Sequence, residues 1–142
     1  DDSVLLMWVT FPKLEWAIPV MEAWGFKYVT NAFTWIKQNK KEKGLFWGMG
    51  YYTRSNAEVC LLGKRGSGVE VKSHNVHSVV LSEIEEHSSK PDIFRDRIVE
   101  LFGDVPRIEL FARPDNKVNL WGKNTFDGWD VFGNEVQNSI EL

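Results

Sequence analysis

S-V-L-L-M-W-V-T, residues 3 to 10, decides the fold: a short, unbroken apolar run rich in strand formers marks a strand covered on both faces. A helix comes directly after it. Pro12 opens it, and Leu14, Ala17, Ile18, Met21 and Trp24 keep the three-and-four spacing of one helical face, with Gly25 placed as terminator. Pro19 removes a backbone donor inside that stretch, so the sequence predicts a kink or a late start.

Further along, residues 26 to 36 predict a second strand, with Tyr28 among its aromatics and Thr30 and Thr34 set between them. It runs into the polar stretch 37 to 43, which reads as exposed. G-L-F-W-G-M-G at 44 to 50 predicts a mobile loop, continued by 51 to 55. Residues 57 to 63 and 76 to 81 predict a third and a fourth strand, joined by the turn-rich 64 to 68. Pro91 suits the first turn of a second helix, whose stripe is Phe94, Ile98, Leu101 and Phe102 and whose stop is Gly103. Residues 107 to 112 then read as a short buried strand and 114 to 127 as a polar loop. No repeat appears. Strands interleaved with helices predict an α/β domain with a largely parallel sheet carrying an antiparallel pair.

With 142 residues, 43% of them hydrophobic, the chain suits one soluble domain with a sizeable core. Its seven Trp and nine Phe fit a packed core, a base-stacking surface or a protein interface alike. A net charge of -3 gives no support to wholesale electrostatic capture of nucleic acid and leaves room for a local basic patch. Cys60 is the single cysteine, so a disulfide framework is excluded, core filling is its expected job and a reducing, cytoplasmic setting is favoured. No apolar stretch approaches the ~18 residues of a membrane span and no signal peptide opens the chain. A chain that starts Asp1-Asp2 and enters an apolar run at once reads as the remainder of a longer protein.

Ligands of open α/β sheets bind beyond the carboxyl ends of the strands, which gives weight to three places. Lys90 follows the fourth strand, Arg113 closes the strand at 107 to 112, and Asn134-Glu135 follows a turn at 128 to 133. They offer a cation for a carboxylate and polar groups for ribose hydroxyls. Spacing alone favours the plainer readings, a solvated lysine at a helix start, a salt bridge at a strand end and a capped turn. Lys37 to Lys43, with Arg54, Lys64 and Arg65, form a candidate phosphate rim beside Phe46, Trp47, Tyr51 and Tyr52; a solvated loop is the plain alternative. Glu58, an acid opening an apolar strand, either faces solvent or accepts hydrogen bonds from an amino group. His74, His77 and His87 lack the spacing and thiol partners of a zinc site. G-x-S-x-G, G-x-G-x-x-G and the Walker loop are all missing.

Taken together, H-S-S-K-P at 87 to 91, E-L-F-A-R at 109 to 113 and G-W-D-V-F-G-N-E at 128 to 135 resemble the N6-adenine methyltransferases named for the seventy-kilodalton subunit of the messenger-RNA enzyme. M-E-A-W-G-F at 21 to 26, W-I-K at 35 to 37 and G-Y-Y-T-R-x-x-x-E at 50 to 58 extend the resemblance over nearly the whole chain. It implies a Rossmann-like domain that binds S-adenosylmethionine and methylates the exocyclic amine of adenine. By position, Lys90 would meet the cofactor carboxylate or lie beside the target base. Leu110 and Phe111 would line the cofactor pocket, and Arg113, Asn134 and Glu135 would hold the ribose and its neighbours. Glu58 would sit near the target adenine, with Tyr52, Arg54, Lys40 and Lys41 facing nucleic acid. Asn116 is a further ribose candidate in the long loop.

G-W-D-V-F-G-N-E is more like bacterial and phage members, which favours DNA over RNA. The family's catalytic D-P-P-W, expected upstream of V-L-L-M-W-V-T, does not occur in these 142 residues. The adenine amine is a poor nucleophile and needs acceptors and a stacked, extruded base. The sequence therefore reads as one methyltransferase domain, 1 to 142, without its N-terminal catalytic segment. The alternative is a non-catalytic subunit that keeps the fold and binds nucleic acid or a catalytic partner; under either reading a homodimer or heterodimer is expected.

Overall fold

Along the first strand, β1 (Ser3–Val9), Leu5, Met7 and Val9 alternate with Leu6 and Trp8, and the two sets enter different hydrophobic clusters. The computed structural model describes residues 1–86, 89–114 and 126–141, and it divides into two compact units, Asp1–Phe102 and Gly103–Leu142.

The first unit is a four-stranded sheet of β1, β2 (Lys27–Gln38), β3 (Glu58–Arg65) and β4 (Val79–Glu83), in the order β1-β3-β2-β4. β3 runs antiparallel to both β1 and β2, and only β2 with β4 is parallel. A largely parallel sheet is thus corrected to a mixed one. The reason lies in residues 39 to 57, which form no helix; parallel neighbours need a crossover, so a chain returning through a loop comes back antiparallel. Here it slots between β1 and β2.

One face of this sheet carries α1 (Leu14–Ala23), which follows a 3₁₀ turn at Phe11–Lys13 containing Pro12. Ala17 and Met21 pack on Val9, Val59 and Leu61. Gly63 makes the approach close, since a Cβ there would lie 2.5 Å from Met21 Sδ. Pro19 lies inside the helix, on its exposed side. Leu14 and Trp24 are 37% and 43% exposed, so the buried stripe is narrower than the spacing predicts. The expected stop is present: Gly25 takes a φ of 84°, its N–H donates to Glu22 O, and the Phe26 N–H donates to Met21 O, closing a Schellman motif.

α2 (Ile93–Phe102) covers the opposite face, where Phe94 and Ile98 meet Phe33, Trp35, Cys60 and Val80. Trp8 and Phe94 meet edge to face at 4.7 Å between ring centroids. As a central strand β3 is apolar on both faces. β1 pairs only with β3 among the described strands and is half-buried except at Val9, less covered than its sequence predicts.

In the second unit β5 (Ile108–Leu110) pairs in parallel with β6 (Asp130–Phe132). Residues 128 to 133, read from sequence as a turn, contain that strand. Gly133 is required there, because a Cβ would stand 2.4 Å from Ala112 O.

Candidate functional site

β1, β2 and β4 finish, and β3 begins, at one end of the four-stranded sheet, because β3 alone runs the other way. Glu58, the first residue of β3, opens there and is 8% exposed. It does not face solvent. Its Oε2 lies 3.0 Å from Lys37 Nζ, near the end of β2, and its Oε1 lies 2.7 Å from Lys90 Nζ, in the link between β4 and α2. Lys37, assigned from sequence to an exposed run, is instead a strand residue whose side chain is 21% exposed. Its period-two relation to buried Trp35 was the available signal.

The lysines stand on aromatic rings. Lys90 Nζ is 5.4 Å from the Trp8 ring centre and 5.8 Å from that of Trp35, and Lys37 Nζ is 5.1 Å from Trp35. Trp35 Nε1 donates to Ser82 O at 3.0 Å, which fixes the ring that both cations approach. Burial by itself would push the Glu58 carboxyl up; hydrogen bonds from Lys90 and then Lys37, with their charges, outweigh it and hold the group below its ordinary value. The result is a sheltered carboxylate bridging two ammonium groups.

Asn56 is a residue that the sequence did not single out. Its Oδ1 accepts from the Lys37 N–H at 2.9 Å and its Nδ2 donates to Lys37 O at 2.9 Å, with a further bond to Phe46 O. The Phe46 N–H also donates to Lys37 O. Both ends of the loop between Phe46 and Asn56 are therefore fastened to the Lys37 peptide. Within it Trp47, Met49, Tyr51 and Tyr52 are exposed, and Tyr52 takes a left-handed φ of 65°. Arg54 donates to Gly48 O at 3.1 Å and Trp47 O at 2.9 Å, and Ser55 Oγ donates to Met49 O. Hydrogen bonds lace this segment, and the Arg54 guanidinium turns inward to its backbone.

Lys40 and Lys41 are exposed in the turn closed by the Asn39 N–H on Gly44 O. Lys64 and Arg65 do not join the rim, a correction to the sequence reading. They end β3, six and seven residues, or about 20 Å of strand, away from Glu58. There Arg65 donates to the Trp24 and Gly25 carbonyls and lies over Phe26.

The other predicted residues belong to the second unit. Leu110 ends β5, half-buried; Phe111 follows at φ 59° and 74% exposed; Arg113 is exposed after buried Ala112. The parallel pairing of β5 with β6 puts Asn134 and Glu135 at the same carboxyl end. Arg113 and Glu135 line an open groove of about 480 Å³ with Trp129 and Val131; Asn134 is not among its lining residues. Asn138, which the sequence reading passed over, accepts from the Gly133 N–H at 2.9 Å and holds this turn. His87, Ser88 and Asn116 lie outside the described residues.

Residues 1–135 match the MT-A70 family. The chain is 35% identical to the type II methyltransferase M.MunI of a Mycoplasma species, over all of this chain and 54% of that protein. It is 31% identical to a putative N(6)-adenosine-methyltransferase MT-A70-like of Medicago truncatula, over 94% of this chain and 20% of the relative. Against the human N(6)-adenosine-methyltransferase catalytic subunit METTL3 the identity is 30%, over 85% of this chain and 21% of the relative. The chain thus spans about half of one curated relative and about a fifth of the others.

Proposed function

Because the chain belongs to the MT-A70 family, we propose that it forms part of an enzyme that methylates the N6 amine of adenine in nucleic acid, with S-adenosylmethionine as donor. DNA is the assigned substrate. That choice rests on the bacterial and phage character of residues 128 to 135 and on the likeness to a type II methyltransferase across the whole chain. The observation that carries the reading is Glu58, a buried carboxylate bridging Lys37 and Lys90 at the carboxyl ends of β1, β2 and β4.

Each unit, taken by itself, carries groups of the kind the cofactor would need. Lys90, 20% exposed and held on an aromatic floor, offers an ammonium for an amino-acid carboxylate. Arg113, Asn134 and Glu135 offer donors and acceptors for ribose hydroxyls. When bound, S-adenosylmethionine supplies an electrophilic methyl group. Glu58 accepts a hydrogen bond from the adenine amine, orienting a nitrogen whose lone pair is otherwise delocalised into the ring. Trp47, Tyr51 and Tyr52 stack displaced bases, and Lys40 and Lys41 meet phosphates. Arg54 serves by shaping the loop.

The test pairs calorimetric titration of S-adenosylmethionine with methyl transfer to adenine-containing DNA and RNA oligonucleotides. Lys90→Ala and Arg113→Ala are expected to weaken cofactor binding, and Glu58→Gln to cut transfer with little change in binding. Cofactor binding untouched by both alanine variants contradicts the roles proposed for Lys90 and Arg113. Transfer to RNA alone would reverse the choice of DNA.

A further inference from the structure

Glu58 divides its two oxygens between two lysines, and only Lys90 has a role so far. Lys37 sits two residues beyond Trp35 on β2, over whose ring its ammonium lies, and its peptide is gripped on both sides by the Asn56 carboxamide. Such a pair of hydrogen bonds to the N–H and C=O of one residue fixes a strand end as a sheet neighbour would, yet it comes from a side chain that also reaches Phe46 O. The same peptide anchors both ends of the loop bearing Trp47, Tyr51 and Tyr52.

We propose that Lys37 and Asn56 are positioning residues: Lys37 takes one oxygen of Glu58 so that the other stays on Lys90, and Asn56 sets Lys37 and the aromatic loop in one register. The inference deepens the methyltransferase reading and rests on it for its purpose. Lysine suits the task because its ammonium is a compact donor on a long stem, able to reach Glu58 while it stays over the Trp35 ring. Two cations on one carboxylate leave the trio with a net positive charge, which favours an anionic ligand group at this strand end. An apolar residue at 37 would leave Glu58 one partner and an unmatched oxygen in a sheltered place.

The experiment begins without ligand. Carbon-detected NMR titration of the Glu58 carboxyl in the full chain is compared with Lys37→Met, Lys37→Arg and Asn56→Ala, each checked for a native amide spectrum. Lys37→Met is expected to move the Glu58 midpoint upward and Lys37→Arg to return it; a midpoint indifferent to Lys37→Met overturns the proposal. For Asn56→Ala, the expected pair is faster amide exchange across residues 46 to 55 and a shifted Glu58 midpoint. Faster exchange with an unmoved midpoint removes Asn56 from the assignment. S-adenosylhomocysteine titration then reads the consequence, a loss of affinity on the order of tenfold in Lys37→Met, recovered in Lys37→Arg. A wild-type protein that binds no such ligand would sink the methyltransferase reading while the titration still decides the roles of Lys37 and Asn56.

Discussion

Glu58 and Glu70 each hold a lysine in ionic contact, Lys90 at 2.7 Å and Lys72 at 2.5 Å, and both carboxyls are held below their ordinary value. What separates them is water. Lys72 and Glu70 have side chains 53% and 76% exposed and stand two residues apart in one segment, whereas Glu58, Lys37 and Lys90 come from three places and are at most 21% exposed. Distance alone does not rank two ion pairs. Solvent screens the first and competes for its hydrogen bonds, while removing one member of the second strands the others in a poorly solvated place.

The sharpest way to break this contrast is Glu58→Ala. It should cost about 3 kcal/mol in urea unfolding, by leaving two neighbouring ammonium groups uncompensated, and on the order of 10²-fold in the methyl transfer proposed above, through lost positioning. A cost no greater than that of Glu70→Ala would mean that burial does not matter here.

Acid gives the next largest effect. Folding lowers the Glu58 carboxyl, so its stabilisation is fully present above the ordinary value of 4.5 and drains away as pH falls below it, through the folded value. The urea midpoint should therefore drop below pH 4.5, less steeply in Glu58→Gln. If Glu58→Gln has the wild-type acid profile, another carboxylate governs it.

Trp35→Phe tests the aromatic floor with a smaller change, since it keeps a ring and loses the bond to Ser82 O. A loss of about 1 kcal/mol is expected in urea unfolding, with Lys90→Met erasing part of the difference in a double-mutant cycle. Smallest of all is Glu70→Gln, which should leave the melting temperature unchanged at both low and high salt. A salt-dependent change would show that the exposed pair is worth more than its solvation allows.

The sequence made the two helices and most strands legible because their signals are local. Gly25 at the helix stop, Pro91 ahead of α2 and the stripe of Phe94 and Ile98 each fix a few neighbouring residues. Strand direction was not legible, since it depends on whether residues 39 to 57 form a helix, and a loop of Gly and aromatics says nothing of where β3 inserts. The short strand β6 escaped for a related reason: Asp130–Phe132 is too short for a period and needs β5 to exist. Glu58 was recognised as odd from its apolar neighbours. Lys37 and Asn56 were not, because a lysine beside three others looks solvated until its side chain is seen to meet an acid that the register places opposite Trp35, and an asparagine gripping the backbone leaves no pattern along the chain.

Cys60, in the middle of β3 and 1% exposed, is the single thiol of these 142 residues. The strand that carries it is paired on both sides and covered on both faces. A thiol reagent therefore reaches it only when the centre of the sheet opens, and one alkylation rate is a clock for that opening. Glu58→Ala, Trp35→Phe and the Lys37 variants can all be timed by the same atom, with no label added to the protein.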